Sequence, residues 1–205
     1  MRLSVIGCGY LGAVHAASMA ELGHDVVGVD VDAHKVELLS NRRAPFFEPE
    51  LEDLLARNVD AGRLTFTQDF SAIEGAQIHF IGVGTPQSES GAADMTYVDA
   101  AVSSMLPHRG HCTNGPEVVA GKSTVPVGTA SRLAQAIEPT GALLVWNPEF
   151  LREGFAVQDT LRPDRMVYGL PADPGAATKA QEAMDAVYEQ ILTSGTPRLL
   201  MDYAT

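Results

Sequence analysis

The chain has 205 residues, enough for one substantial domain, of which 45% are hydrophobic and 20% are charged. These proportions are typical of a folded globular protein and exclude wholesale disorder. The formal net charge of −12 disfavours nucleic acid and anionic membrane surfaces as partners, because a negative chain repels phosphate groups. No apolar run reaches about 18 residues, so no transmembrane helix is predicted, and the two cysteines are too few for a disulfide scaffold. We therefore expect a cytoplasmic protein.

Short apolar runs alternate with longer amphipathic segments along the chain. Strands are predicted at residues 3–6, 26–29, 64–67, 78–83, 118–120, 143–146 and 198–201. Helices are predicted at residues 11–22, 50–58, 97–106, 129–137 and 176–191, with a further helix capped by Asp32. Strands that alternate with helices and are apolar on both faces are typical of a parallel sheet covered on both sides. The sequence therefore predicts one α/β domain over residues 1–205, of the doubly wound Rossmann type.

A glycine-rich turn, GCGYLG at residues 7–12, follows the first predicted strand and precedes the first predicted helix. In this position the glycine spacing indicates a dinucleotide-binding fingerprint. Gly7 would permit the tight turn, Gly9 would let a pyrophosphate approach the backbone, and Gly12 would let the helix pack against the strand. Free N–H groups at the start of the helix would then face the phosphates. The alternative is a tight turn that binds no ligand.

A carboxylate ends the second predicted strand, at Asp30, 18 residues after Gly12. In this position a carboxylate accepts hydrogen bonds from the ribose hydroxyls of adenosine. It would also repel the 2′-phosphate of NADP, so the sequence favours NAD as the cofactor. The alternative is a capping role for Asp30 at the end of its strand.

Four later segments are rich in polar and proline residues: GVGTP at 82–86, KSTVPVG at 122–128, NPEFLREG at 147–154 and RPDR at 162–165. In this order after the glycine-rich turn, they closely resemble the UDP-glucose/GDP-mannose dehydrogenase family. The resemblance covers essentially the whole chain, and the sequence of residues 147–154 looks most like that of the UDP-glucose branch. It implies that the chain is the NAD-binding domain of a nucleotide-sugar dehydrogenase.

Three of these segments also have a physical reason to carry functional side chains, because ligands bind beyond the carboxyl ends of the strands in such sheets. Thr85 and Thr124 each follow a predicted strand, so their hydroxyls are expected to project into the cofactor crevice. Residues 147–154 offer two carboxylates, Glu149 and Glu153, which would share one face if this segment is helical.

The resemblance implies a role for particular side chains. Asp30 and Lys35 would hold the adenosine ribose, and Thr85, Thr124 and Glu153 would line the nicotinamide side. The full cofactor-binding set is Gly7, Gly9, Tyr10, Leu11, Gly12, Asp30, Lys35, Thr85, Thr124 and Glu153. The substrate-binding set is Glu149, Phe150, Leu151 and Arg152. The catalytic pair, for an active-site water and for proton transfer, is Thr124 and Glu149, and no metal site is expected.

Each of these side chains also has a structural interpretation. Arg152 could be an ion-pair partner, and Lys35 could be an ordinary lysine on the surface of its helix. Arg162 and Arg165 could face a phosphate or brace the domain. His15 is predicted to be a packed or surface histidine rather than a catalyst.

Family members oxidise the C6 alcohol of a nucleotide sugar to the acid with two NAD, through thiohemiacetal and thioester adducts of a cysteine. The resemblance places that cysteine in a downstream glycine-rich segment, which matches neither Cys8 nor Cys112. It also places a central helix and a nucleotide-sugar domain after position 205. We therefore expect the chain as given to bind NAD without turning over UDP-glucose, and the full-length protein to be a homodimer.

Several alternatives stay open at the level of the sequence. The substrate could be GDP-mannose or a UDP-N-acetylhexosamine instead of UDP-glucose, because the family recognises the base and the sugar largely outside these residues. The chain could also be a non-catalytic NAD-binding module, or belong to another Rossmann oxidoreductase such as a 3-hydroxyacid dehydrogenase. Retention of both catalytic candidates with Glu153 argues against a pure NAD binder, which needs none of them.

Overall fold

A computed structural model of the chain describes residues 1–88, 91–110 and 115–203. The strands in these ranges are β1 (Arg2–Ile6), β2 (Asp25–Val29), β3 (Leu64–Thr67), β4 (Ile78–Ile81), β5 (Val118–Gly121), β6 (Leu143–Trp146), β7 (Met166–Leu170) and β8 (Arg198–Asp202). The α-helices are α1 (Tyr10–Glu21), α2 (Ala33–Ser40), α3 (Leu51–Asp60), α4 (Thr96–Met105), α5 (Thr129–Ile137), α6 (Ala156–Leu161), α7 (Pro174–Val187) and α8 (Glu189–Thr193).

The described strands form one sheet with the order β3-β2-β1-β4-β5-β6-β7-β8. Strands β1 to β6 are parallel to one another. The chain moves outward from β1 to β3 and then returns to place β4 on the other side of β1, so the strand order reverses between β1 and β4. This reversal is the point at which doubly wound sheets bind their ligands. The predicted Rossmann-type fold is confirmed.

Helices cover both faces of the sheet, and each face has its own apolar core. One core joins α1, α3, α6 and α7 to the sheet, and the other joins α4 and α5 to it. Strands β4 and β5 are buried at every residue, which explains why they are continuous apolar runs rather than alternating ones. No described helix is long and apolar enough to cross a membrane.

Local signals placed several helix ends correctly. Gly23 follows α1 at a φ of +94°, a left-handed conformation that ends a helix at little cost for glycine. The carboxylate of Asp32 accepts hydrogen bonds from the N–H groups of His34 and Lys35 at 2.9 and 3.3 Å. Asp32 therefore caps α2, as predicted.

The main differences from the predicted elements lie after β6, with one further difference at the end of β4. The single helix expected at 176–191 is two helices, because Tyr188 leaves helical geometry at ψ 19° and its hydroxyl donates to the Oδ1 atom of Asn147 at 2.8 Å. The fully buried strand β7 and the helix α6 were not predicted. Strand β7 runs antiparallel to β6, which it meets at Trp146 and Gly169. Strand β4 ends at Ile81, two residues earlier than expected.

Candidate functional site

The glycine-rich turn lies at the carboxyl end of β1, beside the reversal of strand order. Gly7 has a φ of +89°, and a Cβ atom on it would lie 2.5 Å from Cγ1 of Val83. A Cβ atom on Gly12 would lie 1.7 Å from the carbonyl oxygen of Gly7. Both glycines are therefore required by the fold itself, as predicted.

Gly9 differs from the other two glycines, because a Cβ atom on it would meet no described atom within 4 Å. It is the N-cap of α1, and no side chain in the described ranges caps this helix. The N–H groups of the first turn are thus left to an external acceptor, for which a phosphate is well suited. The open side of Gly9 fits the pyrophosphate of a dinucleotide.

Asp30 is held at the end of β2 with 7% of its surface exposed. Its Oδ2 atom accepts from the N–H of Cys8 at 2.7 Å, and its Oδ1 atom accepts from the N–H of Asp32 at 2.9 Å. The Nζ atom of Lys35 lies 4.0 Å from Oδ2 of Asp30. Each carboxylate oxygen has a second lone pair, so Asp30 can brace the glycine turn and still accept from two ribose hydroxyls. The structural and the functional interpretations of Asp30 are compatible.

The chain has two cysteines, of which Cys8 lies among the described residues. Cys8 is fully buried in the glycine turn, and burial, together with the nearby carboxylate of Asp30, raises the pKa of its thiol. A protonated thiol is a poor nucleophile, so Cys8 does not suit covalent catalysis. Cys112 lies outside the described residues.

The loops that follow β4 and β5 are tied to each other at the same edge of the sheet. The hydroxyl of Thr85 donates to the carbonyl oxygen of Thr124 at 2.8 Å. The hydroxyl of Ser123 donates to the carbonyl oxygen of Val83 at 2.6 Å. The two predicted threonines are therefore adjacent, but the Thr85 hydroxyl is already engaged by the neighbouring loop, whereas Thr124 is exposed.

Residues 147–154 are not helical, so the condition for a helix face shared by Glu149 and Glu153 is not met. The Oε2 atom of Glu149 accepts from the N–H of Leu151 at 2.6 Å. Such local side-chain bonds to the backbone compete with helix formation. Gly154 has a φ of +84°, and the chain becomes helical only at α6. Glu153 is exposed, while Glu149 is half-buried.

Arg152 forms an ion pair within the domain, which is the structural interpretation that the sequence offered for this residue. Its Nε and NH2 atoms donate to the two carboxylate oxygens of Asp159 at 3.0 and 2.8 Å. The bond to Asp159 raises the pKa of Arg152. The guanidinium of Arg165 lies 4.4 Å from the ring centre of Phe150, and that of Arg152 lies 4.9 Å from the ring centre of Phe155. Two cation–π pairs therefore hold the end of this segment.

Glu149 stands between two clefts at this edge of the sheet. The first cleft, of about 410 Å³, is lined by Leu11, His15, Lys122, Pro148–Arg152, Asp159, Thr160, Pro163–Met166 and Tyr188. The second cleft, of about 390 Å³, is lined by Ser123–Gly128, Ala130, Trp146, Pro148–Phe150, Val167, Gly169 and Met201–Tyr203. The structure thus brings Glu149 together with Leu11 on one side and with Thr124 on the other. Thr85 and Glu153 line neither cleft.

Sequence reasoning missed a buried polar group at the floor of the first cleft. Lys122 is 6% exposed, and its Nζ atom donates to Oδ1 and to the carbonyl oxygen of Asn147 at 3.2 and 3.4 Å. Burial lowers the pKa of Lys122 to about 8, although Glu149 opposes this shift. The available signal was the position of Lys122, directly after a buried strand and before Ser123 and Thr124.

A buried carboxylate that the sequence did not single out joins the glycine turn to residues 147–154. Glu48 is 5% exposed and accepts from the hydroxyl of Tyr10. It also accepts from the N–H groups of Gly154 and Ala156 at 2.9 and 2.8 Å. Glu48 therefore fixes the position of Tyr10 relative to the segment that carries Glu149. No group of three His, Cys, Asp or Glu side chains that could hold a metal is present in the described part of the chain.

Sequence comparison identifies relatives over almost the whole chain. The profile of the UDP-glucose/GDP-mannose dehydrogenase family, NAD binding domain, matches residues 1–192. A UDP-glucose 6-dehydrogenase of Rhizobium meliloti is 41% identical over 203 residues, covering 96% of this chain and 45% of the relative. A UDP-glucose 6-dehydrogenase of Bacillus subtilis is 44% identical over 183 residues, covering 86% and 39%. The chain thus spans less than half the length of these relatives.

Solved structures have the same fold. A GDP-mannose dehydrogenase of Pseudomonas aeruginosa superposes with a TM-score of 0.88 at 29% identity, covering 100% of this chain and 47% of that one. A UDP-glucose dehydrogenase of Pyrobaculum islandicum superposes with a TM-score of 0.85 at 38% identity, covering 99% and 46%. Together with the glycine turn, Asp30 and the segment at 147–154, these similarities decide between the Rossmann families considered above. The chain belongs to the UDP-glucose/GDP-mannose dehydrogenase family and is its NAD-binding domain.

Proposed function

We propose that this chain supplies the NAD-binding half of a UDP-glucose 6-dehydrogenase, which oxidises C6 of UDP-glucose to UDP-glucuronate in two NAD-dependent steps. The observation that carries the proposal is the position of Glu149, between a cleft that begins at Leu11 and a cleft that holds Thr124. NAD, when bound, would supply the hydride acceptor. The residues of this chain would supply its binding site and a proton-transferring carboxylate.

The binding roles follow from the geometry of the edge of the sheet. The first turn of α1 would receive the pyrophosphate, because Gly9 leaves its backbone open. Asp30 would accept from the adenosine ribose, with Lys35 beside it. Tyr10 would be fixed by Glu48 next to the phosphates. This set favours NAD over NADP, because a 2′-phosphate would lie against the buried carboxylate of Asp30.

The proposed catalytic residues are Glu149, which lines both clefts, and Thr124, which lines the second cleft. Its half-buried carboxylate would accept or return a proton, while the exposed hydroxyl of Thr124 would hold a water molecule. Phe150, Leu151 and Arg152 line the first cleft with Glu149 and would contact the nucleotide sugar. The guanidinium of Arg152 is paired with Asp159, so it would meet a phosphate only with its remaining N–H groups.

The choice of UDP-glucose rests on the two UDP-glucose 6-dehydrogenases at 41% and 44% identity. An alternative substrate is GDP-mannose, favoured by the TM-score of 0.88 to a GDP-mannose dehydrogenase. A non-catalytic NAD-binding module is a weaker alternative, since such a module would need neither Thr124 nor Glu149. Oxidation assays of a protein that carries this domain, with UDP-glucose, GDP-mannose and UDP-N-acetylhexosamines, would separate these possibilities.

The first test is a calorimetric titration of the 205-residue chain with NAD and with NADP. We expect saturable binding of NAD and clearly weaker binding of NADP. Replacement of Asp30 by Asn should narrow this difference, because the amide does not repel a 2′-phosphate. Equal affinities for the two cofactors in the unaltered chain would contradict the role proposed for Asp30.

A second test concerns turnover by the chain alone. With Cys8 buried and protonated, we expect no UDP-glucuronate when the purified chain is mixed with NAD and UDP-glucose. Chromatography of the reaction mixture checks this directly. Formation of UDP-glucuronate by the pure chain would contradict the expectation that turnover needs a cysteine outside these 205 residues.

A further inference from the structure

A buried cation forms part of the floor of the first cleft. Lys122 is 6% exposed, and its hydrogen bonds go to the Oδ1 atom and the carbonyl oxygen of Asn147 rather than to a carboxylate. Asn147 is itself fixed, because its Oδ1 accepts from the hydroxyl of Tyr188 at 2.8 Å and its amide donates to the carbonyl oxygen of Val167 at 3.0 Å. An ammonium group has three N–H donors, so one donor of Lys122 is left for a group in the cleft.

The pKa of Lys122 is about 8, and the pKa values of the buried His15 and Tyr188 beside it are moved away from this value. His15, from α1, has its pKa lowered well below the usual value by burial, so its ring is neutral. Tyr188, between α7 and α8, has its pKa raised well above the usual value, so its hydroxyl stays protonated. Glu149 is the carboxylate whose charge acts on Lys122. The other charged side chains that line the cleft are two arginines and two aspartates: Arg152, Arg165, Asp159 and Asp164.

The cleft continues from Lys122 to the glycine-rich turn. Leu11 lies within that turn and His15 lies one helical turn further along α1, and both line the cleft. On the proposed function, the pyrophosphate lies at the start of α1, so the nicotinamide end of the cofactor would enter the cleft beside Leu11. It would then share the cleft with the buried ammonium group of Lys122, and charges act more strongly on each other near buried groups than in bulk water.

NAD⁺ and NADH differ by one positive charge on the nicotinamide ring. A cation at the floor of the cleft therefore disfavours NAD⁺ and not NADH. We propose that Lys122 couples proton binding to the oxidation state of the cofactor: NAD⁺ binds with release of a proton from Lys122, and NADH binds without it. This inference rests on the proposed function and assigns a further residue to the same site.

The coupling would also account for the proton of the alcohol oxidation. Transfer of a hydride from the C–H bond of the alcohol to NAD⁺ would break the O–H bond as the carbonyl forms, and one proton would have to be accepted. Glu149 would take up that proton first, and the neutral amine of Lys122, on which Glu149 acts, would then hold it as an N–H bond, because the positive charge on the neighbouring ring would be gone. The atoms and the total charge in the cleft would then be the same before and after the oxidation.

The test is a titration of the 205-residue chain with NAD⁺, NADH and ADP-ribose between about pH 6.5 and 9.5. The affinity for NAD⁺ should rise with pH, by roughly tenfold for each unit by which bound NAD⁺ lowers the pKa of Lys122. The affinity for NADH should stay constant. ADP-ribose lacks the nicotinamide ring, so its affinity should also stay constant and reports on the adenosine and pyrophosphate contacts alone.

Two variants of Lys122 separate its charge from its packing. Lys122→Met removes the charge, so NAD⁺ should bind tightly at every pH in the range. Lys122→Arg keeps the charge throughout, so NAD⁺ should bind weakly at every pH. The exposed Lys179 on α7 provides a matched control, since Lys179→Met should keep the pH profile of the unaltered chain.

The possible results are distinguishable. A ratio of NAD⁺ to NADH affinity that does not change with pH in the unaltered chain would overturn the role of Lys122, whether or not the variants fold. An unchanged pH profile in Lys122→Met would do the same. If ADP-ribose binds while the profile is flat, only the role of Lys122 fails. If NAD⁺, NADH and ADP-ribose all fail to bind at every pH, the proposed function fails as well.

Discussion

At the scale of single residues, the three glycines of the glycine-rich turn differ in what requires them. Gly7 and Gly12 are required by packing, because Cβ atoms there would overlap Val83 and the backbone of Gly7. Gly9 is not required by packing, since its missing Cβ would meet nothing within 4 Å of described atoms. This contrast supports the proposed role of Gly9 in binding the pyrophosphate and makes a selective prediction possible.

Replacement of Gly9 by Ala should therefore remove NAD binding without unfolding the chain. The new methyl group would occupy the space proposed for the pyrophosphate, while its φ of −69° suits alanine. Calorimetry should show an affinity for NAD reduced by at least about tenfold, a loss of about 1.4 kcal/mol or more, with thermal denaturation little changed. Unaltered NAD affinity in Gly9→Ala would show that the pyrophosphate lies elsewhere.

The lowered pKa of Lys122 has a consequence for stability as well as for binding. Its pKa is about 8 in the folded chain and 10.5 ordinarily, so between these values the unfolded chain binds more protons. The free energy of unfolding should therefore rise with pH in this window, and the full cost of burying the charge should be present below about pH 8. Lys122→Met has no ammonium group to bury, so its free energy of unfolding should lack this pH dependence.

Urea denaturation of the unaltered chain and of Lys122→Met at several pH values from about 7 to 10 measures the effect. The free energy of unfolding of the unaltered chain should rise relative to that of the variant as the pH rises above about 8. Comparison of the two chains cancels the titration of groups common to both, including Cys8 and the buried tyrosines. A constant difference over the whole range would mean that Lys122 keeps its ordinary pKa.

At the scale of elements, the glycine-rich turn and residues 147–154 are connected through the loop between α2 and α3. Glu48, in that loop, accepts from Tyr10 at the start of α1 and from the N–H groups that lead into α6. The ring of Phe46 packs on Tyr10 at 4.8 Å between centroids. Three stretches of chain distant in sequence therefore meet at one buried carboxylate.

Glu48→Gln should loosen this connection, because an amide NH₂ cannot accept from the N–H of Gly154 or Ala156. Leaving a buried donor unpaired costs about 1–3 kcal/mol, so the free energy of unfolding should fall by about that amount and NAD affinity should fall with it. The matched control is Glu50→Gln, since the side chain of Glu50 accepts from the exposed Gln158 and not from a buried N–H group in the described hydrogen bonds. Equal effects of the two variants would refute a positioning role for Glu48.

At the scale of the whole molecule, the two ends of the sheet have separate tasks. The carboxyl ends of the parallel strands carry the clefts, whereas a buried polar chain ties the strands together away from them. Ser4 bonds to Nδ1 of His79 at 2.7 Å, Nε2 of His79 bonds to Glu117 at 2.8 Å, and Arg109 donates to Glu117 at 2.8 Å. The serine is fully buried, so this row of Ser, His and Glu is structural.

His79→Phe should therefore destabilise the chain without altering its affinity for NAD. The phenyl ring is of similar size but leaves the hydroxyl of Ser4 and the carboxylate of Glu117 without their buried partner, at a cost of about 2–4 kcal/mol. Chemical denaturation measures the loss, and calorimetry on the folded variant measures the affinity. A reduced NAD affinity in a folded variant would show that the two ends of the sheet are coupled.

Much of this protein was determined by local sequence. The parallel strands are buried apolar runs, and the glycine turn permits only a narrow set of backbone geometries, so the strands up to β6 and their helices could be placed from pattern alone. The turn and Asp30 predicted the cofactor for the same reason. The order of the later segments predicted the family.

The tertiary structure decided what depends on contacts between distant residues. Helix periodicity could not indicate the break at Tyr188, which accompanies a hydrogen bond to Asn147, and the buried run of β7 gave no sign of its antiparallel direction. The sequence left open whether the segment with Glu149 and Glu153 is helical, and in the structure the carboxylate of Glu149 accepts from the N–H of Leu151 instead. Lys122 and Glu48 acquire their character only from burial and from partners far along the chain. Dielectric environment and hydrogen-bond partners are properties of the assembled fold, and no local pattern contains them.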